Sequence, residues 1–284
     1  MNLFNYNGKL FKSGTAVIGP ATRGLRYGDG VFETMRSAKG QLAMPDEHFA
    51  RLWKGMNALH FDIPAHFSPA GLTDEILKLV EKNRHTEAAR LRLTVFRGEG
   101  GLYDPVNHFP NYFIESWELQ AGNGAGDGKT MNSNGLVLDI YRDAKKSCDI
   151  LSNLKHNNFL PYTMAALYAK EQKCNDAIVL NSFGRVCDTT IANIFIIKQG
   201  RLFTPSLAEG CVAGITRKEL IRQLNTIDLQ VTEGELTVSD LLEADELFLT
   251  NSIQGIRWVQ RIGETEYGNE LTAKIYSSLI ATIC

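Results

Sequence analysis

Arg23-Gly24-Leu25-Arg26-Tyr27-Gly28-Asp29-Gly30-Val31-Phe32-Glu33-Thr34 is the stretch on which the fold of this chain turns. Two glycines bracket an aspartate just ahead of an apolar run. Glycine takes a positive φ, or lets another backbone come close, without a steric penalty. The segment therefore reads as a tight turn feeding a strand at Val31–Met35. Upstream, short strands are expected at Leu3–Tyr6 and Ala16–Ile18. Downstream, Phe49, Leu52, Trp53, Met56 and Leu59 recur at helical spacing, which predicts a helix over Pro45–Leu59. A second helix is expected at Leu72–Lys82. Arg90–Phe96 alternates like a half-buried strand, and Phe113–Trp117 reads as another.

Composition changes at Ala121-Gly122-Asn123-Gly124-Ala125-Gly126-Asp127-Gly128, a polar, glycine-rich run that reads as a linker or exposed loop. The chain has 284 residues, more than the about 100–200 of a typical domain. The expected organisation is a small N-terminal α/β domain over 1–120, a linker over 121–134 and a larger C-terminal domain over 135–284. A long hairpin loop inside one domain is the alternative. In the second part strands are expected at Leu136–Ile140, Ala177–Leu180, Asn193–Ile197 and Glu246–Leu249, with turns at Ser182-Phe183-Gly184 and Gln199-Gly200. Helices are expected at Asn157–Lys173, Thr216–Leu224, Leu236–Leu242 and Leu271–Cys284. Pro161 falls near the start of the first of these, where its missing N–H costs little.

With 30 basic and 32 acidic residues the formal net charge is −2. That balance offers no basic stripe for nucleic acid. The N-terminal residues lack a basic segment followed by an apolar one, and no apolar run reaches the about 18 residues of a membrane span. No membrane partner is therefore expected. The five cysteines are odd in number, scattered and without a CxxC pair. They suggest a reducing, cytoplasmic setting rather than a disulfide framework. The six histidines show no HxxxH pair and none lies at short ligand spacing from a cysteine, so no metal is expected.

Taken singly, the candidate chemical residues have ordinary readings. Lys155, in Leu154-Lys155-His156-Asn157-Asn158-Phe159-Leu160-Pro161, would be a solvated lysine ahead of a helix. Asp188, in Gly184-Arg185-Val186-Cys187-Asp188-Thr189-Thr190-Ile191-Ala192-Asn193-Ile194-Phe195, would be a turn residue. Ala213-Gly214-Ile215-Thr216-Arg217 would be one helix start among several, although any such start presents unpaired N–H groups to an anion.

Together, in order, these segments resemble the fold type IV pyridoxal-phosphate enzymes: aminodeoxychorismate lyases and the branched-chain and D-amino-acid aminotransferases. The resemblance also takes in His48-Phe49-Ala50-Arg51-Leu52, sixteen residues past Phe32, and Phe248-Leu249-Thr250-Asn251-Ser252-Ile253-Gln254-Gly255-Ile256. It runs from about Leu3 to beyond Val259. It implies a two-domain α/β (α+β) fold whose larger domain has a mixed-sheet, barrel-like core, and pyridoxal 5′-phosphate as cofactor. Lys155 takes the position of the lysine that carries the cofactor, and such lysines need a neutral amine. Arg51, Ile215, Thr216 and Ser252 take phosphate positions. Asp188 stands where glutamate pairs with the ring nitrogen, one methylene shorter. Phe159 stands where many members carry a tyrosine that touches the ring oxygen, and Tyr162 is not at that offset.

The resemblance leaves the reaction open. The Thr250–Val259 run, and the loop Arg97-Gly98-Glu99-Gly100-Gly101, look more like lyase members. They imply 4-amino-4-deoxychorismate as substrate, with Arg97 and Arg26 on its carboxylates and Phe32 beside them. The alternative is an aminotransferase acting on branched-chain or D-amino acids with 2-oxoglutarate. A third reading, prompted by Asp188 and Phe159, is an inert cofactor-binding paralogue. The resemblance also implies a homodimer acting on a small amino-acid-like molecule.

Overall fold

A computed structural model of the chain describes residues 2–119, 131–227 and 229–283. The chain divides into two compact units: Met1–Gln120 with Leu154–Asn158, and Ala121–Asn153 with Phe159–Cys284. Most of the expected linker over 121–134 lies outside the described residues.

The first unit runs β1 (Leu3–Tyr6), β2 (Lys9–Lys12), α1 (Arg23–Tyr27), β3 (Gly30–Ala38), β4 (Gln41–Leu42), α2 (Pro45–Ala58), α3 (Pro69–Asn83), β5 (Ala88–Arg97) and β6 (Pro110–Glu118). Its six strands pair antiparallel in the order β2-β1-β6-β5-β3-β4. Strand alternation decides what each face carries. Val31, Met35, Leu91, Leu93, Val95 and Ile114 point to one face and are buried against Phe49, Leu52 and Met56 of α2 and Leu72, Ile76 and Leu79 of α3. The expected strand at Ala16–Ile18 is absent. The pairing partner of β1 is Lys9–Lys12, reached through Asn7-Gly8 with both φ positive, 48° and 82°. An Asn-Gly pair in that conformation matches the twist of a two-residue hairpin.

The second unit runs β7 (Leu136–Lys146), α4 (Leu160–Glu171), β8 (Asp176–Asn181), β9 (Val186–Thr189), β10 (Asn193–Lys198), β11 (Arg201–Pro205), α5 (Ile215–Thr226), β12 (Val231–Gly234), α6 (Val238–Leu242), β13 (Glu246–Asn251), β14 (Gly255–Ile262), β15 (Thr265–Glu266) and α7 (Glu270–Ile283). Its nine-stranded sheet follows β12-β11-β10-β13-β14-β7-β8-β9, with β15 beside β14. It is mixed: β11–β12, β14–β7 and β7–β8 are parallel. Apolar layers lie on both faces, one around Ile178, Ile194, Leu247 and Val259, the other joining Phe195 and Phe248 to Leu220, Leu224 and Ile275. Among the described residues no helix is long and apolar enough to cross a membrane.

The predicted helix at Asn157–Lys173 begins only at Leu160, with Pro161 in its first turn. The preceding residues are engaged elsewhere. Phe32 N–H donates to the Lys155 carbonyl at 2.8 Å, and Asn157 N–H to the Gly30 carbonyl at 2.9 Å, making an antiparallel bridge between Val31 and His156. Leu154–Asn158, expected with the C-terminal domain, thus packs with the first unit. The glycines quoted at the outset make room for it. Gly28 ends α1 at φ 62°, and a Cβ on Gly30 would meet the Val95 carbonyl oxygen at 2.3 Å and Asn157 Nδ2 at 2.8 Å. Gly30→Ala should therefore destabilise the chain by about 1–3 kcal/mol, the usual cost of overpacking. Urea unfolding measures this. An unchanged midpoint would mean that the β3–β5 pair has slack.

Candidate active site

In the first unit the candidate residues gather on β3 and its neighbours. Glu33 occupies an inward position between Val31 and Met35, where a carboxylate must be paired. It is 1% exposed, and three hydrogen bonds reach it from α2. Arg51 Nε donates to Oε1 at 2.8 Å and Nη2 to Oε2 at 2.6 Å, while His48 Nδ1 lies 2.7 Å from Oε2. The side chain of Arg51 is 12% exposed and that of His48 is fully buried. Burial pushes the Glu33 carboxyl up, but the Arg51 charge and the hydrogen bonds from Arg51 and His48 outweigh it, and the group sits at about 2. Arg51, expected to bind phosphate, is thus held from behind by a carboxylate.

On the opposite face of β3 and β5 the residues are cationic and aromatic. The Lys155 Nζ lies 4.6 Å from the centroid of the Phe32 ring, and the Arg92 guanidinium lies 3.8 Å from the same centroid. Arg36 and Arg90 are paired across β3 and β5 and share this face by register. Burial pulls the Arg92 guanidinium below its ordinary value, against the opposing pull of Glu115. Arg92 and Lys155 thus flank the Phe32 ring, while Arg90 lies over Trp117 further along the same face. Arg97, expected to hold a substrate carboxylate, has its guanidinium committed to the Asp29 carboxylate and the Leu59 carbonyl, over the Phe61 ring. Arg23 Nε takes the other Asp29 oxygen at 2.9 Å. Asp29 of the opening stretch is therefore the tie between two arginines. Arg26, the other expected carboxylate ligand, donates from Nε to the Pro20 carbonyl at 3.0 Å.

In the second unit Asp188 lies in β9, 2% exposed. Its Oδ2 accepts from Tyr162 Oη at 2.7 Å, from the Val212 N–H at 3.1 Å and from Lys146 Nζ at 3.3 Å. Lys146 also donates to Tyr162 Oη. Asp188 Oδ1 is buried and has no hydrogen-bond partner among the described residues. Burial and the Asp188 charge push the Tyr162 phenol well above its usual range. Burial pulls the Lys146 ammonium down, but the Asp188 carboxylate beside it outweighs burial and holds it raised.

The twelve-residue α5 holds the residues expected at a phosphate. Gly214 is its N-cap, and a Cβ there would meet Asn193 Oδ1 at 1.9 Å. Ile215 and Thr216, both buried, open the helix, so their N–H groups have no intrahelical acceptor. Thr216 Oγ1 is a second buried atom without a partner among the described residues. Thr250 Oγ1 is a third, at the end of β13, while Ser252 lies half-buried in the turn after that strand.

Four residues of these clusters carry no role in the sequence reading. Glu33 has a legible signal, an acid at an inward strand position. Lys146 has none, because it falls in none of the quoted segments; Thr250 lies in the Phe248–Ile256 segment, where Ser252 takes the expected phosphate position. Tyr162 has an offset from Lys155 that is wrong for the ring-oxygen contact; its hydroxyl goes to Asp188 instead.

Comparison with known proteins follows the same segments. The family model described as amino-transferase class IV matches residues 30–262. A protein of Methanocaldococcus jannaschii, provisionally named a branched-chain-amino-acid aminotransferase, is 31% identical over 96% of this chain and 92% of its own length. The crystal structure of 4-amino-4-deoxychorismate lyase from Pseudomonas aeruginosa superposes with a TM-score of 0.83 at 26% identity, covering 98% of both chains. The T.th. branched-chain amino acid aminotransferase with pyridoxamine 5′-phosphate has the same fold, with a TM-score of 0.85 at 22% identity, covering 99% of this chain and 94% of that one.

The Glu33 network sets a pH dependence. A carboxyl lowered from 4.5 to about 2 on folding contributes stability that is complete above about 4.5 and lost as the pH falls through about 2. Glu33→Gln should be less stable than the parent at pH 7 by about 3 kcal/mol. That gap should narrow between about pH 4.5 and pH 2 in denaturant titrations. A gap independent of pH would place the Glu33 contribution in packing rather than charge.

Proposed function

The chain belongs to the class IV amino-transferase family, enzymes that work with pyridoxal 5′-phosphate, and within it we propose a 4-amino-4-deoxychorismate lyase releasing 4-aminobenzoate and pyruvate. The residues fit the cofactor. Asp188 Oδ1 is a buried acceptor lacking a donor, which a protonated ring nitrogen would satisfy. Thr216 Oγ1 and the first N–H groups of α5 form a cradle suited to a phosphate. By the family resemblance we assign Arg51 and Ser252 to phosphate binding as well, and Lys155 to covalent attachment.

When bound, the cofactor supplies an electron-accepting ring that stabilises the charge left when a proton leaves the carbon bearing the substrate amine. The rest falls to side chains. Asp188 Oδ1 would hold a proton on the ring nitrogen. Lys155 Nζ would take the proton from that carbon and hold it. The C–O bond to the enolpyruvyl arm would then break with its electron pair leaving on oxygen, the substrate ring would become aromatic, and the arm would take up the proton held by Lys155 to become pyruvate. The two substrate carboxylates are assigned to the face that carries Arg92 beside Phe32, and Arg36 further along β3. Arg97 is not assigned to them, since its Nη1 and Nη2 are bonded to Asp29 and Leu59.

Asp188 carries the choice of lyase. It is one methylene shorter than the usual glutamate, and one of its oxygens is already spent on Tyr162, Val212 and Lys146. Phe159 brings no phenol to the ring. A weaker electron sink suits an elimination driven by aromaticity better than a reversible transamination. The M. jannaschii relative keeps the aminotransferase reading as the alternative.

Purified, cofactor-loaded protein should release pyruvate from aminodeoxychorismate in a lactate dehydrogenase-coupled assay. No pyruvate, together with steady turnover of leucine or D-alanine with 2-oxoglutarate, would assign the chain to the aminotransferases; neither activity would leave the inert paralogue. Borohydride reduction and peptide mass spectrometry should place the pyridoxyl group on Lys155. A label on Lys145, Lys146 or Lys170 would overturn that placement.

A further inference from the structure

A buried ammonium at the carboxylate assigned to the cofactor ring has no place in the chemistry derived above. Lys146 is 9% exposed and Asp188 2%, at the end of β7 and within β9. Their contact is double: directly, Nζ to Oδ2 at 3.3 Å, and through Tyr162, whose Oη accepts from Lys146 and donates to the same Oδ2 at 2.7 Å. The Val212 N–H closes the set on that oxygen. Three donors on Oδ2 fix the carboxylate's rotation. Oδ1, buried and without a partner among the described residues, is then held in one direction.

The arrangement has an electrostatic consequence. A carboxylate stabilises a protonated ring nitrogen because the two charges are opposite. Here that charge is already partly balanced by Lys146. A ring proton would be a second positive charge on one carboxylate, in a cluster whose other titratable members, Cys187, Cys211 and Tyr162, are neutral when protonated. Burial, reinforced by Asp188, pushes both thiols up, Cys211 to about 12, and pushes the phenol up as well. None of them offsets the ammonium at neutral pH.

We propose that Lys146 is a positioning and attenuating residue: it locks Asp188 through Tyr162 with Oδ1 toward the cofactor's ring nitrogen, and it weakens that nitrogen's hold on its proton. This rests on the assignment of Asp188 to the ring nitrogen. It supplies a cause in the protein for the subdued electron sink that favours elimination.

The test loads the full-length protein with pyridoxal 5′-phosphate labelled with ¹⁵N in the ring and follows the ring-nitrogen chemical shift against pH. In Lys146→Met the nitrogen should keep its proton to a pH about one unit or more higher than in the parent, the size of a nearby like charge removed. Lys146→Arg, which keeps the charge, should titrate with the parent. Should the methionine variant fail to fold, judged by circular dichroism of the cofactor-free chain, Lys146→Gln removes the charge while keeping a donor for Asp188 and should shift in the same direction. Asp188→Ala separates the premises. If the ring signal responds to Asp188→Ala but not to removal of the Lys146 charge, the attenuating role is wrong. If it responds to neither, the placement of Asp188 is wrong, and this inference falls with it.

Discussion

Two backbone hydrogen bonds, Phe32 N–H to the Lys155 carbonyl and Asn157 N–H to the Gly30 carbonyl, place the lysine of the expected chemistry. They join the start of β3 to a segment more than a hundred residues downstream. Neither bond depends on a side chain, so position is fixed by the main chain and by the absence of a Cβ at Gly30. A lysine side chain has several rotatable bonds, and holding its Cα leaves Nζ to be steered by its surroundings. Here it lies over the Phe32 ring, beside Arg92. The two sides of β3 then divide the labour. Inward, Glu33 anchors Arg51 from α2; outward, Phe32 carries the amine.

The second unit uses a different device, the fixed carboxylate and the open helix end. Asp188 is restrained on one oxygen and open on the other, and Thr216 stands at the first turn of α5 with a hydroxyl that the described residues do not satisfy. Buried polar atoms are nearly always paired. Asp188 Oδ1 and Thr216 Oγ1 are among the exceptions in the described residues, an acceptor on β9 and a hydroxyl at the N-terminus of α5, and both figure in the proposed cofactor site. Gly214 permits that cradle for a steric reason, since any side chain would collide with Asn193.

Much of this is legible in the sequence, and the parts that are not share a cause. Periodicity locates β3, α2, α3, β5 and α5 because each buries one face against a core of its own unit. Local propensity starts α4 at Asn157, three residues early, whereas the pairing of Asn157 with Gly30 claims those residues for a sheet edge. Ala16–Ile18 reads as a strand by composition, but the partner of β1 is chosen by the Asn7-Gly8 turn. The roles expected of Arg51, Asp188 and Thr216 come from resemblance; their partners do not. Glu33 can be suspected from its inward position on an apolar strand face. Lys146 and Tyr162 cannot, because their meeting at Asp188 depends on where α4 lies against β7 and β8, which no spacing in the chain records.

The excursion of Leu154–Asn158 also orders events in time. During synthesis the sheet of the first unit can form as soon as β6 has emerged, because all of its strands are encoded before residue 119. Its bridge to His156 must wait until the chain has passed through β7 and returned. The nascent first unit therefore exists for a time with the Gly30 carbonyl and the Phe32 amide still bound to water. Such long-range closures are slow relative to local ones, because the loop entropy is lost before the contact is gained. The amine-bearing segment is thus added to a sheet that has already formed, and its bridge closes only in chains synthesised past Asn157.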